Sequence, residues 1–372
     1  MQFTIDRNTF LQALAHVTGI VERRNTIPVL SHVLISATDS GLTLKATDLD
    51  VEAVETAMCT TVKPGALTVP AHTLHDIVRK IPEGLDVELA RDPDGGRVTL
   101  TAGRARFLLS VLSEDEFPDL GQSQFPHRFS MTQRELKRLF DKVRFAISTE
   151  ETRYYLNGIY FHVIGEGAAA KLRAVATDGH RLAQVEADCP SGAAGMPGVI
   201  VPRKVVGELI KLLSDADAPV EIAVSPSKIR FTAGSVVLTS KLIDGTFPDY
   251  ARVIPSTNNR IMHVPNADFM KAVDRVSTLS AEKGRAVKMN LADARIVLSV
   301  TNPDSGSATE ELTAEYEGSP LEIGFNSRYL LDIAGQLEGA RAEFKLADAS
   351  SPTLISDEDD RSALYVLMPM RV

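Results

Sequence analysis

Tryptophan is absent from this 372-residue chain, and cysteine nearly so. Cys59 and Cys189 lie 130 positions apart with no CxxC pair and no metal-type spacing. A disulfide framework and a cysteine-based metal site are therefore not expected, and such sparse usage suits a reducing cytosol. No apolar run approaches the roughly 18 residues that a membrane-spanning helix requires. The opening Met1-Gln2-Phe3-Thr4-Ile5-Asp6 lacks the basic and apolar regions of a signal peptide. A cytoplasmic protein without a membrane partner is the expectation. A basic surplus is missing too: 40 Lys and Arg face 49 Asp and Glu, a net charge of −9. Taken as a total, that balance argues against a nucleic-acid partner.

What the chain does have is a long internal repeat. Phe3, Phe10 and Val17, then Phe129, Leu136 and Val143, then Met262, Phe269 and Val276 mark apolar positions spaced by seven and seven, where a short strand runs into an amphipathic helix. A second landmark follows in each copy: Val69-Pro70-Ala71-His72, Val201-Pro202-Arg203-Lys204 and Gly324-Phe325-Asn326-Ser327, each opening another helix. Between them Thr47-Asp48, Thr177-Asp178 and Thr301-Asn302 end strand-like runs at a turn. Ser110-Val111-Leu112 before Phe117-Pro118-Asp119 is matched by Ser240-Lys241-Leu242 before Phe247-Pro248-Asp249. Four landmarks in one order predict three similar domains, over residues 1–126, 127–254 and 255–372. Two helices and about eight short alternating strands per copy predict an α+β unit, its helices on one side of antiparallel sheets.

The repeat also resolves the charge. Segments 7–18, 71–81, 132–145, 202–213, 265–283 and 326–337, read as helices, together carry +7, which leaves −16 on the rest of the chain. The best-defined helix is expected over Thr132–Ile147, with Leu136, Leu139, Phe140, Val143 and Ile147 on one stripe and Arg134, Lys137, Arg138, Lys142 and Arg144 around it. Arg23 and Arg24 follow the first helix. Basic charge gathered on one layer of an acidic molecule suits a protein that meets phosphate on one face and repels it elsewhere.

Other motifs carry less. Gly165-Glu166-Gly167 reaches Lys171 without the order of a phosphate-binding loop. His72 and His75 lack a partner at ligand spacing, so no metal and no cofactor is expected. Asp92-Pro93-Asp94-Gly95-Gly96 lacks the closing Glu of a calcium loop and reads as a tight turn. Asp357-Glu358-Asp359-Asp360 reads as a solvated loop. The Asp178-Gly179-His180-Arg181 cluster has no nucleophile or paired carboxylates beside it, so catalysis is not expected. A DNA-directed nuclease or nucleotidyltransferase, which would need clustered acidic metal ligands, and a scaffold that never meets DNA stand as the competing classes.

Arg153-Tyr154-Tyr155-Leu156-Asn157-Gly158, Thr177-Asp178-Gly179-His180-Arg181-Leu182, Val201-Pro202-Arg203-Lys204, Phe247-Pro248-Asp249-Tyr250 and Tyr365-Val366-Leu367-Met368-Pro369-Met370-Arg371-Val372 resemble the bacterial DNA polymerase III beta subunit. Phe3-Thr4 and Thr26-Ile27-Pro28-Val29-Leu30 fit as well, so the resemblance spans the chain. It implies the DNA-clamp fold: three similar domains per chain, and a head-to-tail homodimer closing a six-domain ring that encircles duplex DNA without reading its sequence. The resemblance further implies that the ring is a non-catalytic processivity subunit. Implied partners are the replicative polymerase catalytic subunit, the clamp loader, and translesion and repair proteins that dock through clamp-binding peptides.

The resemblance also implies sites. Arg24, Tyr154, Tyr155, Arg203 and Lys204 match or adjoin DNA-touching positions. Phe107, Leu109 and Leu279 match the dimer junction. A peptide groove is implied at Arg153, Leu156, Thr177, Gly179, Arg181, Leu182, Pro248, Arg252, Val253, Val366, Met368, Pro369, Met370 and Arg371: an apolar trough with a cationic rim, whose methionines can repack around different ligands. Two positions depart from the pattern, Ala251 where some relatives carry a basic residue and Pro352 where a polar groove residue can occur.

Overall fold

The computed structural model describes residues 1–121, 123–280 and 285–371. The first repeat runs β1 (Gln2–Asp6), α1 (Arg7–Thr18), β2 (His32–Thr38), β3 (Gly41–Thr47), β4 (Val51–Ala57), β5 (Thr60–Lys63), β6 (Gly65–Pro70), α2 (Ala71–Lys80), β7 (Asp86–Arg91), β8 (Arg97–Ala102) and β9 (Ala105–Ser110). The second runs β10 (His127–Thr132), α3 (Gln133–Arg144), β11 (Gly158–Ile164), β12 (Lys171–Thr177), β13 (Arg181–Asp188), β14 (Val199–Pro202), α4 (Arg203–Leu212), β15 (Pro219–Val224), β16 (Lys228–Ala233) and β17 (Val236–Lys241). The third runs β18 (Arg260–Pro265), α5 (Asn266–Ser277), β19 (Ala286–Ala292), β20 (Arg295–Asn302), β21 (Gly306–Thr313), β22 (Glu315–Glu317), β23 (Leu321–Asn326), α6 (Ser327–Ala334), β24 (Arg341–Leu346), β25 (Thr353–Asp357) and β26 (Ala363–Leu367).

All nine residues of the seven-and-seven pattern are buried. The first of each set lies on a strand, β1, β10 or β18, and the other two on the helix that follows, which at 100° per residue returns to the same face every seventh position. Local chemistry starts the helices. The Asp6 carboxylate accepts the Thr9 N–H at 2.8 Å, and Asn326 Oδ1 accepts the Arg328 N–H at 3.0 Å. At α3, Glu135 Oε2 accepts the Thr132 N–H while Thr132 Oγ1 accepts the Glu135 N–H, a reciprocal capping box. Several helices end earlier than the apolar periodicity suggests. The chain leaves α3 at Arg144, although Ile147 stays buried on a following turn, and α5 stops at Ser277, so Leu279 lies beyond the helix. Burial continues past the last helical bond, and periodicity reports burial.

The chain divides into two compact units, Met1–Lys137 with Pro190–Met196 and Lys204–Leu242, and Arg138–Cys189 with Pro197–Arg203 and Ile243–Val372. The first unit holds a five-stranded sheet, β5-β1-β7-β8-β9, and an eight-stranded sheet, β10-β15-β16-β17-β4-β3-β2-β6. The second holds a nine-stranded sheet, β14-β11-β12-β13-β26-β25-β24-β18-β22, and a four-stranded sheet, β21-β20-β19-β23. The helices pack on antiparallel sheets, as the sequence suggests. Helix α1 contacts β1 and β7 of one sheet and β3 and β4 of another, and α5 likewise touches β18 on one side and β19 to β21 on the other. Each of these two helices thereby closes two apolar sheet faces at once.

Repeats are joined by strand pairing. In the first unit β4, the fourth strand of the first repeat, pairs with β17, the last strand of the second, Val54 opposite Val237. In the second unit β13, again a fourth strand, pairs with β26, again a last strand, Leu182 opposite Val366. The turn beside each seam is the same. Thr47 Oγ1 donates to the Val51 carbonyl and accepts the Leu49 N–H, while Asp48 Oδ1 accepts from Asp50 and Val51. Thr177 and Asp178 repeat each bond with Arg181, Gly179 and His180. The seam strand then donates back, Lys241 N–H to the Asp50 carbonyl at 2.8 Å and Met368 N–H to the His180 carbonyl at 2.9 Å. The third residue of the turn sits in the left-handed region in both, at φ 80° for Leu49 and 89° for Gly179.

The remaining sequence motifs fall as follows. Asp92–Gly96 is the β7–β8 turn, with the Gly95 N–H on the Asp92 carbonyl and φ 77° at Gly95. His72 Nε2 donates to the Val21 carbonyl at 2.8 Å. The acidic run at 357–360 is not a solvated loop: the buried Asp357 carboxylate accepts the Glu338 and Gly339 N–H groups, and Asp360 pairs with Arg138. Its charge is spent on orphan backbone donors and on a guanidinium.

Candidate nucleic-acid and peptide-binding sites

The helical cations divide into two groups. On α3 every basic side chain already has a carboxylate: Arg134 with Asp217, Lys137 with Asp215, Arg138 with Asp360, Lys142 with Glu338 and Arg144 with Asp141. Lys142 is buried. The expected free basic face of α3 is therefore locally neutralised by acids far away in the sequence, a pairing no helical wheel displays. Arg23, Arg24, Lys80, Arg203, Lys271 and Arg328 are by contrast exposed and pair with no carboxylate among the described residues. Lys80, Lys271 and Arg328 were not singled out by the sequence, since an unpaired cation is recognisable only once its neighbours are known.

Of the candidate DNA positions, Arg24 and Arg203 belong to that free group. Lys204 does not: its ammonium contacts the Asp48 carboxylate, the Glu22 carboxylate at 3.5 Å and the Ile20 carbonyl at 3.0 Å. Tyr154 is exposed and meets Tyr155 edge-on at 5.8 Å between ring centroids. Tyr155 is partly buried against a core cluster, so of the two only Tyr154 offers a largely free ring.

That cluster gathers three of the expected groove residues. Leu156, Leu182 and Val366 are buried together with Val175, Ile200, Phe247 and Tyr250, with Tyr155, Tyr160, Ile243, Ile254 and Leu354 packed against them. They lie on the face of the β14-β11-β12-β13-β26 sheet set by Ile200, Tyr160, Val175, Leu182 and Val366, and the segment from Ile243 to Ile254 packs on that face. Around the cluster the structure leaves apolar side chains in solvent, Val253 at 49% and Met368 at 41% exposure, with Pro248 also exposed. An apolar floor with exposed apolar edges is what a short extended peptide can use. The main chain after β26 is fixed by Met370 N–H to the Gly324 carbonyl at 2.9 Å.

The cationic rim is smaller than the sequence implies. Arg252 is exposed, paired with Asp249 at 2.7 Å, and Arg371 is exposed. Arg153 reaches Glu150 and donates to the Asp178 carbonyl at 3.1 Å. Arg181 is not a rim residue. It is 9% exposed, donates to Asp178, Asp332 and the Phe145 carbonyl, and its guanidinium lies over the rings of Phe145 and Tyr329, 4.9 and 4.3 Å from their centroids. Thr177 is held in the turn and Gly179 is exposed beside Arg153.

Each of the four sheets has two edge strands, and β9 and β21 are two of these. Strand β9 pairs only with β8, and β21 only with β20. On β9, Phe107 and Leu109 face the core side opposite Leu100 and Val98 but remain half-buried, and Leu108 is exposed. Phe107, Ala105 and Ala102 with Ile77, Ile81 and Pro82 line a cavity of about 400 Å³. Arg106 on β9, Arg104 before it and Arg97 on the neighbouring β8 are exposed and have no carboxylate partner among the described residues. Strand β21 carries Glu310 and Glu311.

A fold of repeated strand–helix units, joined by shared sheets, defines the DNA-clamp class. Family models for the DNA polymerase III beta subunit match the N-terminal domain over residues 1–121, the central domain over 130–249 and the C-terminal domain over 251–371. The beta sliding clamp of Caulobacter vibrioides is 53% identical and that of Escherichia coli K12 39% identical, each over the full length of both chains. The crystal structure of a Bartonella birtlesii sliding clamp bound to griselimycin is 54% identical and superposes at a TM-score of 0.97, covering both chains completely. The chain belongs to the DNA polymerase III beta-subunit family, the beta sliding clamps, which are non-catalytic processivity factors.

Proposed function

We propose that two copies of this chain join head to tail into a ring that encircles duplex DNA and tethers the replicative polymerase to it. One observation carries the reading: each internal seam pairs the fourth strand of one repeat with the last strand of the next, β4 with β17 and β13 with β26. That rule leaves one fourth strand, β21, and one last strand, β9, unused. A second copy satisfies both at once, through two identical junctions, as closed twofold assembly requires. Arg97, Arg104 and Arg106 at one edge compete with Arg275 and Arg295 for Glu310 and Glu311 on the other, and like edges gain no such contact. Phe107 and Leu109 lie on one edge, and Leu279 is assigned to fill the apolar gap beside Phe107.

Residues 1–126, 127–254 and 255–372 are then the three domains of each protomer. Arg24, Arg203 and Tyr154 meet the duplex, with Tyr155 behind Tyr154 and Lys204 engaging phosphate only by leaving Asp48. Contacts to phosphate carry no sequence information, so the ring slides, and topology rather than affinity retains it. The groove over Leu156, Leu182 and Val366 receives clamp-binding peptides of the polymerase catalytic subunit, the clamp loader, and translesion and repair proteins. Arg153, Thr177, Gly179, Pro248, Arg252, Val253, Met368, Pro369, Met370 and Arg371 border it, and Arg181 braces it from below. No described helix is long and apolar enough to cross a membrane, and replication places the ring in the cytoplasm.

The test is topological. Purified protein is loaded on a nicked circular duplex with a clamp loader and ATP, and the circle is then linearised. Retention on the circle and release from the linear form are expected. Protein that stays bound after linearisation, or never assembles beyond one protomer, overturns the proposal.

A further inference from the structure

Under the groove lies a polar group that an apolar floor does not require. On β11 and β12, His162 stands opposite Arg173, and Arg173 stands opposite Glu186 on β13. Arg173 Nε donates to Glu186 Oε1 at 2.8 Å, and Arg173 Nη1 donates to the Tyr250 hydroxyl at 2.7 Å. The same hydroxyl is 3.0 Å from His162 Nε2. His162 and Tyr250 are buried. The Tyr160 ring stacks on His162 at 4.4 Å on one side and on Phe247 at 4.9 Å on the other.

Donor and acceptor rules orient this chain. A guanidinium only donates, so the Tyr250 oxygen accepts from Arg173 and sends its own proton to His162 Nε2. That nitrogen must then be bare, with the imidazole neutral. Burial and the facing Arg173 guanidinium both hold the imidazole neutral, pushing its pKa down to about 4.

Tyr250 opens the short 3₁₀ turn Tyr250–Val253, which carries Arg252 and Val253, and Phe247 precedes Pro248. We propose that His162, Arg173 and Tyr250, braced by Glu186 and Tyr160, form a clasp that positions the Pro248–Val253 wall of the groove and thereby sets its affinity for ligands. They are positioning residues, reaching the ligand through the wall they hold. The inference rests on the groove reading above.

The test uses griselimycin as probe, binding measured by calorimetry on the full-length dimer, with Met368→Ala as the direct groove control. Tyr250→Phe leaves Arg173 Nη1 and His162 Nε2 without their shared partner. Unsatisfied buried polar groups of this kind are costly, and a loss of about tenfold in affinity is expected, with the dimer mass unchanged. His162→Phe should lose as much. His162→Gln, which can offer its amide oxygen to the Tyr250 hydroxyl, should recover most of the affinity. Wild-type affinity should also fall as pH drops from 6.5 towards 4, when an imidazolium beside Arg173 expels the Tyr250 proton from its acceptor. Among the described residues, Glu186, Tyr160 and Tyr250 are the other titratable groups beside His162, and His162→Gln should be flat over the same range. A fall that is equal in wild type and His162→Gln, or no rescue by Gln, overturns the clasp. If Met368→Ala binds griselimycin as wild type does, the probe does not use this groove, and it is the groove reading that fails.

Discussion

Arg181 Nη1 lies 2.5 Å from Asp332 Oδ2, tying the first residue of β13 to helix α6 of the next repeat. The guanidinium is buried and has three separate acceptors, Asp178, Asp332 and the Phe145 carbonyl. It is therefore a bracket between two repeats, although its place in the sequence suggests a ligand-facing cation. Arg181→Ala should lower the thermal midpoint of unfolding, with a loss of about 3 kcal/mol, since removing one member of a buried pair strands the other. Arg181→Lys should rescue little, because an ammonium cannot serve three divergent acceptors and two ring faces. Calorimetric scanning of the three proteins decides it, and a Lys variant as stable as wild type would argue against the bracket.

The open β9 edge gives a second expectation. Truncating an aromatic anchor at an interface costs about 2 kcal/mol or more, roughly thirtyfold in Kd. Phe107→Ala should weaken the dimer by that factor in sedimentation experiments while leaving the protomer folded. Raising salt should weaken the wild-type dimer too, because Arg97, Arg104 and Arg106 oppose a glutamate-bearing edge. A dimer constant indifferent to both changes would place the junction elsewhere.

Cations that are free and cations already paired should behave differently towards DNA. Each phosphate contact contributes about 0.9 to the slope of log affinity against log salt. Arg24→Ala and Arg203→Ala should flatten that slope measurably for duplex bound without a loader. Lys204→Ala should flatten it less, because Asp48 holds the ammonium. The readout is fluorescence anisotropy across a salt series, and a Lys204 effect larger than that of Arg203 would reverse the assignment.

The paired turns supply a stability test. A non-glycine residue in the left-handed region costs on the order of 1–2 kcal/mol, and Leu49 occupies it at φ 80°. Leu49→Gly should raise the unfolding midpoint slightly, the gain being reduced by the larger entropy of glycine in the unfolded chain. Gly179→Ala should lower it, both through strain at φ 89° and because the added Cβ would meet Arg153 Nη1 at 2.6 Å. Opposite signs are the expected result; a stabilising Gly179→Ala would contradict this account.

Much of this protein is written along the chain. The spacing of Phe3, Phe10 and Val17 and its two echoes specifies three copies of one unit, because the buried faces of a strand and of the helix after it each follow local periodicity. The landmarks Val69-Pro70, Val201-Pro202 and Thr177-Asp178 likewise fall at helix starts and turns, where neighbouring residues decide the backbone. Family motifs also singled out Leu156, Leu182 and Val366, which fold into one buried cluster. Pairing between distant segments was not. That α3 loses its free charge to Asp215, Asp217, Asp360 and Glu338, that Lys204 is held by Asp48, that Arg181 is buried, and that Tyr250 hangs from Arg173 and His162 all depend on which side chains folding brings within about 3 Å. Electrostatic and hydrogen-bonding partners are chosen by distance in space, and sequence separation carries no record of that distance until the sheets have closed.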